Sequence, residues 1–454
     1  MLGTILGPID ASIVNVILPT ITRSFSASMA AAQWVPMAYL LTIGSLVLMF
    51  GRLGDIWGYR RIFLMGMAGF VAASGLCALA PGMGWLVGFR VLQGLAAGMT
   101  MAVPLAILTR AFPASQRGRV LGTYAVSISV GLAIGPSLGG FLAAAFGWRS
   151  AFLINLPIGL TALALASRVL PEMAGRPGRL DLAGAAAALG ALSSFLLFVN
   201  RAQQVGFTLA TAAILAAAAA LGTLFLRIES RTPEPMLRLE LFRVRALSFG
   251  SLAALLNFMS QYVVVFLTPF LLQRLLAAGP GRVGLIMTAF PLSVLCVAPF
   301  AGALSDRIGT AGLAFVGTSV CAAGCALLAG VPAGAGAHEV AWRLVVVGVG
   351  TGIFQSPNNS AVMGSAPREH LGVVSSLLGT TRTVGMTLGV AAAGAVLYAF
   401  VPAAVLRSAV LAPANAAAFV TGVRHAYAAG AVFAALAALC CLVRVGRRVA
   451  VARP

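Results

Sequence analysis

Asp10 lies in an apolar run covering roughly residues 2–21, and it is the only one of the ten acidic residues that we place inside such a run. An aspartate at the centre of a membrane helix costs about 2.5–3.5 kcal/mol on insertion scales, so residues of this kind face a cavity or a partner. An apolar medium favours the neutral acid, which makes a carboxylate in such a place a candidate reversible proton site. The alternative is a structural carboxylate capping a helix interrupted by Gly7-Pro8. The residues alone leave both readings open.

Arg90 is the second candidate. It lies about six residues into its own apolar run, roughly 9 Å deep at 1.5 Å per residue. Gln93 and Ala97 follow on the same helical face. A buried guanidinium needs a polar partner or water, so this face should line a cavity; snorkelling to the near surface is the alternative. Together Asp10 and Arg90 form a candidate proton-coupling pair. Arg382, about ten residues into a later run, is too deep to snorkel easily.

Such residues need a scaffold that holds them inside a bilayer. Of 454 residues, 60% are hydrophobic and 9% charged, with a mean hydropathy of +1.00. A soluble chain carries about 25% charged residues. Runs near 20 residues cross ~30 Å of hydrocarbon. Fourteen occur, at roughly 2–21, 34–53, 62–81, 84–106, 119–145, 149–170, 182–200, 207–227, 246–272, 283–304, 311–331, 341–363, 371–400 and 424–443. The expected fold class is an all-α polytopic membrane protein. The first run is read as a span and not a signal peptide, because it has no basic n-region and carries Asp10.

Between the second and third runs stands Gly51-Arg-Leu-Gly-Asp-Ile-Trp-Gly-Tyr-Arg-Arg61. A shortened copy, Gly302-Ala-Leu-Ser-Asp-Arg-Ile-Gly309, follows the tenth run. Gly51, Asp55 and Gly58 keep the spacing of Gly302, Asp306 and Gly309, 251 residues on. At about 32 residues per span this offset is close to eight spans, more than a simple six-plus-six repeat supplies. The expected organisation is a six-helix bundle at 1–170, two inserted helices with linkers at 171–245, and a second six-helix bundle at 246–454. Asp55 and Asp306 are either solvated turn charges or parts of a charge lock; the repeated spacing favours a conformational gate that includes Gly54, Arg60 and Arg61.

All thirty basic residues are arginine. With the N-terminus placed inside, twenty fall on the inner side and eight on the outer, leaving Arg90 and Arg382 within spans. This bias predicts cytoplasmic termini in the cell (inner) membrane. It also explains a net charge of +20 without nucleic acid.

Gly131, Gly135 and Gly139 share one helical face, beside Pro136 and Gly140. Such a face admits a neighbouring helix, and the proline frees a carbonyl and bends the span. Polar stripes recur in the second half: Asn257 and Gln261; Thr351, Gln355, Asn358 and Asn359; Ser376, Thr380, Thr383 and Thr387. Beside Tyr262, Phe266 and Phe354 they suit a pocket for a broad amphipathic ligand, or they are hydrogen-bonding glue between helices. The substrate-cavity candidates are Gln93, Asn257, Gln261, Tyr262, Gln355, Asn358 and Arg382. Three histidines and six scattered cysteines form no metal framework. Cys321 and Cys325, and Cys440 and Cys441, read as packing thiols. No metal or cofactor is expected.

Together these segments resemble the major facilitator superfamily, and within it the fourteen-span drug:proton antiporters of the multidrug efflux type. Gly51 to Arg61 is similar to the loop motif after the second span. Asp10-Ala-Ser-Ile-Val-Asn-Val-Ile-Leu-Pro19 is similar to the first-span signature, and Arg90-Val-Leu-Gln-Gly94 to the fourth-span motif. Gly131 to Gly140 is similar to the fifth-span antiporter motif. Trp148-Arg-Ser-Ala-Phe-Leu-Ile-Asn-Leu-Pro157 is similar to the start of the sixth span. The resemblance implies two six-helix bundles around a cavity of alternating access. It gives Asp55 a role in stabilising the outward-facing state, Arg90 a part in proton transfer and Pro136 a part in export-linked bending. Ser12 stands where the family usually has threonine, and Ile56 and Tyr59 leave the loop less basic than typical. No second buried acid is evident in the later spans, which argues against divalent cations and for monovalent, zwitterionic or neutral substrates.

The function this points to is proton-coupled export of amphipathic drugs or toxic compounds, with small-molecule substrate, protons and the lipid bilayer as partners. One proton moving down 100 mV supplies ~2.3 kcal/mol. The alternative is a narrow-range exporter of one metabolite or self-made antibiotic. A non-transporting receptor is a weaker reading, and nothing in the sequence specifies a periplasmic adaptor. An enzyme is not expected. There is no His-Glu cluster, Gly348, Gly350 and Gly352 follow no strand pattern, and there is no lysine for a phosphate loop.

Overall fold

In hydrocarbon a backbone can satisfy its N–H and C=O groups only internally, so each apolar run becomes a helix. The computed structural model describes residues 2–175, 177–178, 180–232, 235, 239–332, 335–365, 371–407 and 413–445. Among them fourteen helices are long and apolar enough to span. They are α1 (Leu2–Ser24), α2 (Met29–Trp57), α3 (Tyr59–Leu79), α4 (Met83–Ala111), α5 (Ala114–Phe146), α6 (Ser150–Val169) and α7 (Leu182–Val205). They continue as α8 (Leu209–Arg231), α9 (Arg245–Arg274), α10 (Pro280–Ile308), α11 (Thr310–Ala329), α12 (Ala337–Gly364), α13 (Leu371–Phe400) and α14 (Ala416–Val445).

All fourteen runs are present, but several helices outreach them. α2 starts at Met29 because Ser28 caps it, accepting from the Ala31 N–H. α14 starts at Ala416, eight residues before the expected 424. Arg424 is therefore a helix residue, and its guanidinium donates to the Val331 carbonyl at 2.7 and 2.9 Å. Arg343 likewise lies inside α12, paired with Glu339. α8 runs past 227 and carries Glu229, which is buried. Asp10 is thus not the sole buried acid. Seven arginines counted on the inner side (176, 179, 238, 368, 447, 448 and 453) lie outside the described residues.

The packing repeats with a period of eight helices. α1 packs on α5 and α6, α2 on α4, and α3 on α4 and α6. Correspondingly, α9 packs on α13 and α14, α10 on α12, and α11 on α12 and α14. Two six-helix bundles result. They meet by a symmetric exchange, α5 on α10 and α2 on α13, with α1 against α9 between them. α7 and α8 pack on each other, and α7 touches both α2 and α13. Asn200 of α7 donates to the Ala30 carbonyl at 3.1 Å and Gln203 to the Ala391 carbonyl at 3.2 Å.

The α5 glycines serve two interfaces. Gly131, Gly135 and Gly139 face α1, where an added Cβ would press on Ile5, Ser12 and Ile13. Gly140 faces the other bundle, and a Cβ there would stand 2.9 Å from the Gly284 Cα on α10. Ser137 and Thr288 share a hydrogen bond of 2.6 Å along the same contact.

The echoed turns explain their glycines. Gly58 is the single residue between α2 and α3, at φ 95°, and Gly309 the single residue between α10 and α11, at φ 94°. Side chains rarely adopt this conformation, and forcing one into it costs about 1–3 kcal/mol. Gly58 is also crowded, because an added Cβ would collide with the Met173 carbonyl in the linker after α6, whereas Gly309 and Gly51 meet nothing within 4 Å. Three alanine variants should therefore rank by thermal unfolding of the purified protein in detergent. Gly51→Ala should be neutral or slightly stabilising, Gly309→Ala should lose about 1–3 kcal/mol, and Gly58→Ala should lose more. Equal melting temperatures for all three would contradict this account of the turns.

Candidate functional site

Asp10 of α1 and Arg90 of α4 meet. They are 0% and 1% exposed, and Arg90 Nη1 donates to Asp10 Oδ2 at 2.5 Å. Gln93, one turn beyond Arg90, donates from Nε2 to Asp10 Oδ1 at 2.9 Å. Asn155 of α6 donates to the same oxygen at 2.9 Å. Both carboxylate oxygens only accept, as an ionised carboxylate does. The guanidinium also donates to Gln93 Oε1 at 2.6 Å and to the Val35 carbonyl at 3.3 Å, and lies 4.0 Å from the Tyr39 ring centre. Ser74 of α3 accepts from Gln93 at 2.9 Å. Five helices, α1 to α4 and α6, thus converge on one charge pair.

The cluster opens on the interface between the bundles. A small cavity lined by Asn15, Tyr39, Arg90 and Tyr262 joins it to α9. Asn15 Oδ1 and the Tyr39 hydroxyl are buried there without a hydrogen-bond partner among the described residues. Each such group costs about 1–3 kcal/mol until water or a ligand satisfies it.

The substrate-cavity candidates divide. Asn257 is fully buried, and among the described residues both its amide atoms are unpaired, as is Nε2 of Gln261, one turn on. Tyr262 lines the cavity beside Arg90. Arg382 is half-buried, 5.7 Å from the Phe258 ring centre. Gln93, three residues on from Arg90, lies over Asp10 with Arg90. Asn358 donates to the Gly250 carbonyl at 3.1 Å and ties α12 to α9. Gln355 is half-buried, and Asn359, expected on its stripe, is exposed. Thr383 packs on Gly44 of α2, making that stripe part of the bundle contact.

The gate candidates sit on the turns. Asp55 accepts from the Tyr59 hydroxyl and lies 3.9 Å from Arg52, both in its own bundle. Arg60 donates to the Ser167 carbonyl at 2.6 Å and lies 3.6 Å from Glu172, tying α3 to α6 and the following linker. Arg61 and Asp306 are exposed, and Asp306 has no ion pair among the described residues. Equal spacing in sequence has not produced equal surroundings. The side-chain hydrogen bonds that join the bundles among the described residues lie toward the opposite end. There Gln273 meets Thr20 (3.3 Å), Arg23 and the Val16 carbonyl (3.4 Å), and Ser137 meets Thr288.

Sequence reasoning gave no site role to Asn155, Ser74 or Tyr39. Asn155 had a signal, as a lone amide among Phe152-Leu-Ile and Leu156. Ser74 and Tyr39 had none, because a small hydroxyl or an aromatic ring in a span reads as packing.

The family model described as Major Facilitator Superfamily matches residues 1–390 and 250–453. The riboflavin transporter RibZ of Clostridioides difficile is 32% identical over 400 residues, covering 86% of this chain and 85% of that one. The multidrug resistance protein Stp of Mycobacterium tuberculosis is 32% identical over 410 residues, covering 88% and 75%. Among solved structures, a bacterial homologue of the human lysosomal transporter Spinster superposes with a TM-score of 0.67 at 18% identity, over 98% of this chain and 94% of that one. That likeness supports the fold alone.

Removing one partner of a buried ion pair typically costs about 3–5 kcal/mol, because the other charge is left uncompensated. Arg90→Met should therefore be strongly destabilised in thermal unfolding. The double variant Asp10→Asn/Arg90→Met should be more stable than Arg90→Met alone, since it leaves no unpaired charge. A double variant no better than the single one would mean that the pair is not a coupled unit.

Proposed function

This chain belongs to the major facilitator superfamily, and on that premise we propose that it is a proton-coupled exporter of amphipathic compounds. It is a multi-pass membrane transporter with drug-resistance proteins among its relatives. In our reading, residues 1–170 and 246–454 move as two bodies and the helices of 171–245 ride between them. Both termini are cytoplasmic, in the cell (inner) membrane. Asp10 takes a proton when the cavity is open to the acidic side and releases it on the other, and Arg90 is the counter-charge that changes partner as it does so. The Asp55 turn acts as a lock when the bundles close at its end.

The observation that carries this reading is the buried Asp10–Arg90 pair, 2.5 Å apart, opening on the interface between the bundles. A carboxylate in that place has a structural cost that proton exchange would explain. The resemblance to a riboflavin transporter favours a second reading, a narrow-range transporter for one planar compound.

The test is uptake of a panel of amphipathic dyes into inverted membrane vesicles energised by a proton gradient. Wild-type uptake should vanish with an uncoupler. Asp10→Asn, inserted normally, should fall to the level of vesicles lacking the protein. Uptake that ignores the uncoupler would sink proton coupling, and unchanged uptake in Asp10→Asn would remove Asp10 as its site. Movement of a single compound from the panel would select the narrow-range reading.

A further inference from the structure

We infer that the interface between the bundles binds an aromatic anion, with Arg382 holding its negative charge; this rests on the export reading above and names its substrate class.

Arg382 is a guanidinium with nothing to neutralise it. It makes no hydrogen bond or ion pair with the described residues. The one carboxylate of the neighbouring cluster, Asp10, is already held by Arg90, Gln93 and Asn155. Two guanidinium groups therefore share this region with one carboxylate, and one positive charge is left over. Unpaired charges inside a membrane are rare, and those that persist face a ligand, an ion path or a cavity. Arg382 lies eleven residues into α13, roughly 16 Å along the helix at 1.5 Å per residue. That is more than a third of the way along the thirty-residue α13.

The surroundings are aromatic. Phe258 of α9 faces the guanidinium at 5.7 Å. Tyr262 of α9 and Tyr124 of α5 lie within electrostatic reach of it, so both bundles contribute. Each tyrosine also borders a cavity. Tyr124 lines one with Gly7, Thr100 and Met101, toward the end that carries the Gly51–Arg61 turn. Tyr262 lines the other, beside Asn15 and Arg90. A planar ring can stack on these aromatic faces while its carboxylate, or its ionised phenol, takes the guanidinium fork. A cation of the same shape meets a like charge with no acid to offset it.

Two dyes with the same xanthene ring and opposite charge test the inference. Binding of fluorescein (anionic) and rhodamine 123 (cationic) to the purified protein is read by fluorescence anisotropy, with thermal unfolding in parallel. Wild type should bind fluorescein at least about tenfold more tightly, and Arg382→Gln should lose on the order of 30-fold for fluorescein with little change for rhodamine 123. Arg382→Lys should keep the preference and Arg382→Glu should reverse it. One arm needs no variant: salicylate, and not the neutral salicylamide, should displace fluorescein from the wild type. Equal affinity for the dyes, no saturable fluorescein binding, equal displacement, or unchanged fluorescein binding in a folded Arg382→Gln would each overturn the inference. Because binding is read without a gradient, the two readings fail separately. Fluorescein held through Arg382 but never driven by protons would support the anion site and overturn the coupled exporter. Gradient-driven dye uptake by a protein whose fluorescein binding does not change in a folded Arg382→Gln variant would overturn the anion site and leave the exporter standing.

Discussion

Hydrocarbon does not solvate charge, and the N-terminal bundle is built around that constraint. One carboxylate, Asp10, is taken out of water, and its position requires a guanidinium from α4 and amides from α4 and α6. Those partners need partners in turn. Gln93 needs Ser74 of α3, and Arg90 needs the Val35 carbonyl and the Tyr39 ring of α2. Helix orientations that would be loosely specified by leucine and alanine packing alone are thereby tied to one polar centre. Lipid tails are as apolar as the side chains that face them, so apolar burial gives weak direction to such packing.

The two bundles share a helix-pairing pattern but not a chemistry. Pairings repeat with a period of eight helices, and the one-residue turns repeat with glycine at φ 95° and 94°. Those are backbone requirements, and any copy of the unit must meet them. The charged residues are under no such rule. The Asp10–Arg90 cluster belongs to the first bundle, while the second brings Arg382, Asn257 and Gln261 to the interface without an ion pair among the described residues. Asp55 and Asp306 diverge in the same way. A duplicated scaffold with unlike polar contents is suited to coupling two events, one centred on each half.

Contact between the halves depends on backbones coming close. Gly139 turns to α1 within its own bundle, and its neighbour Gly140 turns to Gly284 in the other. Close approach through small residues lets dispersion act where hydrophobic burial cannot. It also leaves few interdigitated side chains to unlock if the halves move. The inserted α7 adds polar stitches to α2 and α13 near Ala30 and Ala391.

The class of molecule is legible in the residues alone: fourteen apolar runs admit only helices, because unpaired backbone groups cannot face lipid. So is the eight-span offset, because the glycines at 58 and 309 answer to a local turn. Asp10 and Arg90 were legible for a similar reason, since a charge stands out in an apolar run wherever the run packs. Pairing emerges only once the helices are packed. That Gln93 serves Asp10, that Asn155 and Ser74 join it from other helices, that Asn358 is spent on the Gly250 carbonyl and that Arg382 has no ion partner among the described residues are facts about neighbours distant in sequence. Uncharged polar residues gave little sign of their roles, because hydrogen bonds are short and directional. Which stripe lines a cavity and which binds a helix depends on a few ångströms and a rotation that spacing along one helix does not specify.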